Sequence, residues 1–149
     1  MAISYSTSTM TVNIAETITL NGVNRGSSTT FSIPSIKYVE NGIVTLTSAV
    51  SKIFVFDATV ADDKSILSAG VKYIRLTNLD TSYDAKVSFV QGSDTAWFLI
   101  PAYKSMTISD VGLDADSSPI ASSPTLANLD SISGQGTGTM ALEYFIAST

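Results

Sequence analysis

Polar and apolar residues alternate along most of the chain, at the period of two that sends successive side chains to opposite faces of a strand. Residues 3–12 alternate but hold few bulky apolar groups, which predicts an N-terminal arm or edge strand over residues 1–13. Residues 14–20 predict a second strand, stopped by Asn21-Gly22, and residues 29–33 a third, ended by Pro34. The signal is clearest over residues 36–47. There Asn41-Gly42 predicts a hairpin with a two-residue type I′ turn, because both residues tolerate positive φ. That register sets Val39 against Val44 and Tyr38 against Thr45.

Further strands are expected at 52–56, 71–76, 86–90, 95–100, 103–108 and 139–146, with a turn at 78–82. Residues 60–69 read as one or two helical turns that Gly70 ends. The segment 110–138, with Pro119, Pro124 and glycines at 134, 136 and 138, reads as loop. A single internal echo, Leu76 to Asp80 against Leu126 to Asp130, fits two similar Asx turns better than a repeat. Short strands with turn signals every 8 to 12 residues or so predict an all-β fold. The expected architecture is an antiparallel β-sandwich, jelly-roll-like, over residues 14–149, preceded by an extended N-terminal arm.

Two of these strands are apolar on both faces: Ile53-Phe54-Val55-Phe56 and Trp97-Phe98-Leu99-Ile100. A sandwich strand normally buries one face and wets the other. The second face is therefore covered either by the chain's own loops or by another chain, which predicts self-association.

Composition narrows the chemistry. With 149 residues, 44% hydrophobic, the chain is long enough to bury a core without cross-links. Ser and Thr supply 41 residues, while charged residues are only 14%. That balance suits strands and turns. The longest apolar run, residues 96–100, is too short to span a bilayer. The first residues carry neither a basic nor an apolar segment of the secretory type, so no signal peptide is expected. The net charge is −5, and the eight Lys and Arg residues are scattered singly. Nucleic-acid binding, which needs clustered cations, is disfavoured.

Cys and His are both absent, which removes thiolate and imidazole nucleophiles and metal ligands together. Paired carboxylates remain: Asp62 with Asp63, Asp80 with Asp84, and Asp114 with Asp116. All fall in expected turns and read as solvated turn carboxylates. Asp110, Asp114 and Asp116 lie close enough to suggest Ca²⁺, but they fit no EF-hand spacing. Residues 134–138 lack the Lys and the helix of a phosphate loop. Tyr5, Tyr83 and Tyr103 fall near turns or edges, where exposed rings stack on sugars. No catalytic, cofactor or metal residue is assigned, and the chain is not expected to be an enzyme.

Two stretches carry a resemblance. Gly70-Val71-Lys72-Tyr73-Ile74-Arg75-Leu76-Thr77-Asn78-Leu79-Asp80, followed by Trp97-Phe98-Leu99-Ile100-Pro101-Ala102-Tyr103-Lys104-Ser105-Met106, resembles the YIRITNLD … F.L.PG.S pattern of small virion structural proteins from tailed bacteriophages, especially aquatic phages. Residues 17–26 are similar to the start of such proteins. Ala102 stands where the pattern has Gly, which puts the tight turn there in question. The resemblance implies a capsid decoration (cement) protein on the virion's capsid surface, binding and stabilising the phage head. Its partner would be the major capsid protein, and a place on local threefold positions favours a homotrimer. The alternative it implies is a fibre or tail receptor-binding module that recognises carbohydrate or a host surface. The expected attachment is through the N-terminal arm, pairing by backbone hydrogen bonds with a neighbour's strand.

Overall fold

Thirteen strands form among residues 6–57, 65–67, 70–109 and 129–149, which are the residues the computed structural model describes. They are β1 (Ser8–Ala15), β2 (Thr19–Leu20), β3 (Val23–Asn24), β4 (Ser28–Ile36), β5 (Tyr38–Leu46), β6 (Ser51–Asp57), β7 (Ser65–Leu67), β8 (Val71–Asn78), β9 (Ala85–Gln91), β10 (Asp94–Ile100), β11 (Ser105–Ser109), β12 (Ser131–Gly136) and β13 (Met140–Ser148). The chain is all-β, and its sheets are antiparallel apart from the short parallel pair β6–β7.

Four antiparallel pairs build the frame: β5 with β13, β6 with β12, β8 with β11, and β9 with β10. Pairing of β8 with β13 and of β9 with β12 joins them into two sheets. One runs β11-β8-β13-β5 and the other β10-β9-β12-β6-β7. Their inward residues share one hydrophobic cluster in a sandwich-like arrangement. Leu46, Ile74, Leu76, Leu142 and Ile146 come from the first sheet, and Phe54, Val87, Phe89 and Ile132 from the second. Burial of each such side chain contributes about 1.5–3 kcal/mol.

One of the two doubly apolar strands is explained within the chain. Where Ile132 pairs Phe54, the next residue, Ser133, pairs Lys52, so Ile53 is bulged out of the ladder. The bulge lets the consecutive residues Ile53 and Phe54 both join the core. A Cβ on Gly134 would stand 2.8 Å from Ile53 Cδ1 and 3.0 Å from Leu46 Cδ1, so a side chain there would compete for the space they fill.

Several sequence expectations need correction. No hairpin turn forms at Asn41-Gly42: β5 runs straight through both, and neither has positive φ. Val39 pairs Ala147 and Val44 pairs Leu142 instead of each other. Within the segment read as loop, β12 forms and occupies the middle of the five-stranded sheet. Ser65–Leu67 is a strand rather than a helical turn; the rest of that expected element, residues 60–64 and 68–69, lies outside the described residues. Pro34 does not end β4. It sits at a bulge where the register slips between Ser8 and Met10, beside Ser35 at φ 64°, a place where a missing N–H is tolerated.

The N-terminal segment also differs from a free arm. From Ser8 on it is β1, paired with β4 and continuing past the expected boundary to Ala15. Val12, Ile33 and Ile36 pack with Tyr73 and Ala147 in a second hydrophobic cluster, with Met10, Phe31 and Phe145 against it. Tyr73, Phe145 and Ala147 alternate with the core-facing residues of β8 and β13, so this ribbon covers part of the outer face of the four-stranded sheet.

Candidate functional site

The β1–β4 ribbon does not stop where the second cluster ends. Met10 pairs Ile33, Val12 pairs Phe31 and Ile14 pairs Thr29. The Glu16 amide donates to the Ser27 carbonyl (2.8 Å) and the Arg25 amide to the Ile18 carbonyl (2.8 Å). Leu20 then pairs Val23. From Met10↔Ile33 to the tip the register is unbroken, so beyond the bulge at Pro34 residues 10–33 form one long hairpin. Its tip is Asn21-Gly22, with φ of 51° and 77°, the two positive values that a type I′ turn requires. The preferred turn dipeptide occurs twice in the chain, and only this copy turns.

Alternation along this register puts Met10, Val12, Ile14, Ile18 and Leu20 of one strand on the same face as Val23, Phe31 and Ile33 of the other. The proximal half of that apolar stripe is the second cluster. The distal half has no cover among the described residues: Ile14 is 46% exposed, Ile18 47%, Leu20 55% and Val23 50%. Every residue from Asn13 to Arg25 is exposed. Ten extended residues from Asn13 to Gly22 reach roughly 30 Å. An isolated two-stranded ribbon is marginal in water, and an apolar stripe on one marks a contact surface. Of the arm or edge strand expected over residues 1–13, the part from Ser8 on is a paired strand, residues 1–5 lie outside the described residues, and the exposed stretch is the distal hairpin from Asn13 to Arg25.

The second doubly apolar strand also faces outward. β10 is an edge of the five-stranded sheet, and Trp97 (49% exposed) and Leu99 (56%) stand on its outer face. With Lys86, Phe98 and Gln135 they line a depression of about 510 Å³. Phe98, 37% exposed, stands edge-on to the core residue Phe89 at 5.5 Å between ring centroids.

Tyr83 and Tyr103 are brought together at one end of the sheets. The Tyr83 amide donates to Asp80 Oδ1 (2.9 Å) and the Tyr103 amide to the Asp80 carbonyl (3.1 Å). Asn78, fully buried, donates to the carbonyls of Tyr83 and Ile100 and accepts from the Asp80 amide. The turn questioned at Ala102 does form, closed by the Lys104 amide on the Pro101 carbonyl at 3.1 Å. Tyr103 takes the positive φ of 57° there, a value rare for a bulky residue. Both rings are exposed, at 45% and 67%.

Asp80 and Asp84 serve this loop cluster as hydrogen-bond acceptors. Asp80 Oδ1 accepts from the amides of Ser82 and Tyr83, and Asp84 Oδ1 from that of Ala102. The Ser82 and Tyr83 amides hold the Asp80 carboxyl below its ordinary value of 3.8. Among the described residues no three acidic groups gather as a metal site. Tyr5, the pair Asp62 and Asp63, and the group Asp110, Asp114 and Asp116 lie outside the described residues. No protein-family model matches the chain, and no curated protein is significantly similar to it.

Proposed function

We propose that the protein is a virion structural subunit, a capsid decoration (cement) protein of a tailed bacteriophage that binds the outer surface of the head and stabilises it. The observation that carries this reading is the hairpin arm: 18 residues, 13–30, that project from the body with a bare apolar stripe. A projection without a core of its own belongs to a protein that works assembled. The edge strand β10, with Trp97 and Leu99 outward, offers a second contact surface for the major capsid protein.

Strand connectivity supports the reading. Counted in chain order, β5, β6, β8, β9, β10, β11, β12 and β13 pair first with eighth, second with seventh, third with sixth and fourth with fifth. That is an antiparallel ribbon folded in half and wrapped into two sheets, which we read as a jelly roll. Viral capsid and lectin domains use this architecture. The resemblance of residues 70–80 and 97–106 to phage virion proteins points the same way. We assign the assembled form as a homotrimer on the capsid surface.

The test is to add purified protein to phage heads stripped of their decoration. Saturable binding, regular knobs in electron micrographs and a raised temperature of head disruption are expected. Heads that bind none of it overturn the assignment. A second reading, a fibre or tail receptor-binding module, is favoured by Tyr83 and Tyr103, both exposed and both held by backbone bonds to Asp80, whose rings each offer a stacking surface for a sugar. Binding to host cells that is lost in Tyr103→Ala, with no binding to heads, would decide for it.

A further inference from the structure

We infer that the hairpin arm of one copy docks its apolar stripe on the outer face of the four-stranded sheet of the next copy, over β5. This rests on the reading of the protein as an assembled subunit and names the surfaces that join its copies.

The arm already shows which surface its stripe fits. Its proximal residues Val12, Phe31 and Ile33 cluster with Tyr73, Phe145 and Ala147, on the outer face of that same sheet. The stripe and the face each continue beyond this contact and each is left bare. On the arm, Ile14, Ile18, Leu20 and Val23 remain about half exposed. On the sheet, β5 is an edge strand, and Val39 (50% exposed) and Ile43 (65%) alternate onto the outer face. Their cross-strand partners, Ala147 and Glu143, lie on that face too. The ionic groups match in kind. The stripe carries Glu16 and Arg25, and the face carries Arg75 and Glu143, paired at 2.9 Å and each more than a third exposed. The β5 side of the sheet therefore offers the distal stripe an apolar surface of the kind its proximal half already covers.

The occupant is a second copy because one chain holds both halves of the contact. A reach of roughly 30 Å is comparable to the diameter of a domain this size, so the arm can lie across a neighbour. Arm on one copy and sheet face on the other make a heterologous contact, and such contacts form rings when the rotation between copies closes and open filaments when it does not. The proposed trimer is a ring of this kind.

Complementation between two variants tests it. Ile18→Asp with Leu20→Asp disables the arm and spares the face; Ile43→Lys disables the face and spares the arm. All three positions are exposed, and circular dichroism will check that both variants keep the wild-type spectrum and a cooperative melt. The masses come from size-exclusion chromatography with light scattering at micromolar concentration. The wild type is expected as a closed oligomer, each variant as a monomer, and an equimolar mixture of the two as a one-to-one pair. A monomeric wild type, variants that keep the wild-type mass, or a mixture that stays monomeric each overturn the inference. Head binding is measured separately, so a failure of this contact is distinguishable from a failure of the decoration role.

Discussion

The ring of Tyr144 lies over Gly42, its cross-strand partner, so closely that a Cβ at position 42 would stand 2.6 Å from the Tyr144 hydroxyl oxygen. Here glycine serves packing: β5 is an edge strand, and the aromatic ring covers the bare backbone that glycine leaves. The same ring stands edge-on to Phe54, 4.6 Å between centroids, so it is held from the other side by the opposite sheet.

Gly42→Ala therefore destabilises the fold by about 1–3 kcal/mol, as overpacking does. Urea unfolding checks this, and the cost is expected to shrink toward zero in a Tyr144→Ala background. Fully additive effects would mean the ring is not the obstacle.

Asn78 joins three loops through one amide. Asn78→Ala leaves the carbonyls of Tyr83 and Ile100 and the amide of Asp80 without that partner. A loss of about 2–3 kcal/mol is expected in equilibrium unfolding, since buried polar groups left unpaired carry their full desolvation cost. A loss well under 1 kcal/mol would place the hold on the loop cluster elsewhere.

Asp80 sets an acid limit on the same cluster. Its folded-state carboxyl is held below 3.8, so the stabilisation it provides is complete above that value. It is lost as the pH falls through the lower folded-state value. Between pH 5 and 2 or so, the wild type should lose stability more steeply than Asp80→Asn. Parallel pH profiles for the two proteins would contradict this.

Ile33 ties the arm to the body. It is 1% exposed in the second cluster, and Ile33→Ala should cost about 2–5 kcal/mol. The near-ultraviolet signal of Tyr73 should change with it, because Tyr73 packs in that cluster edge-on to Phe145. An unchanged signal and midpoint would show that the ribbon does not rest on the sheet.

The sequence carries the long strands openly. Residues 71–76, 86–90 and 95–100 alternate as expected and fall within β8, β9 and β10, and 139–146 falls within β13 but for its first residue. Its errors at Asn41-Gly42 and at β12 share one physical cause, which is that pairing partners lie far away in the chain. Asn41-Gly42 and Asn21-Gly22 are the same dipeptide, but only the first has a nine-residue partner strand, β13, to hold it extended. Strand β12 is hidden because Gly134 makes room for Ile53 and Leu46, which lie some 80 residues earlier. The arm reads as weakly apolar because half of its stripe comes from the opposite strand, at Val23, Phe31 and Ile33. The exposed faces of β10 and the two tyrosines are partly legible: the residue types stand out in the sequence, and only the fold brings Tyr83 and Tyr103 onto Asp80.

Hydrogen exchange of the full-length protein at two concentrations tests most directly whether the arm is an assembly element. At high micromolar concentration the inter-strand amides of residues 14–25, such as Glu16 and Arg25, are expected to be protected. On dilution they should lose protection together, while β8 and β13 keep theirs. Arm protection that is the same at both concentrations would contradict the account.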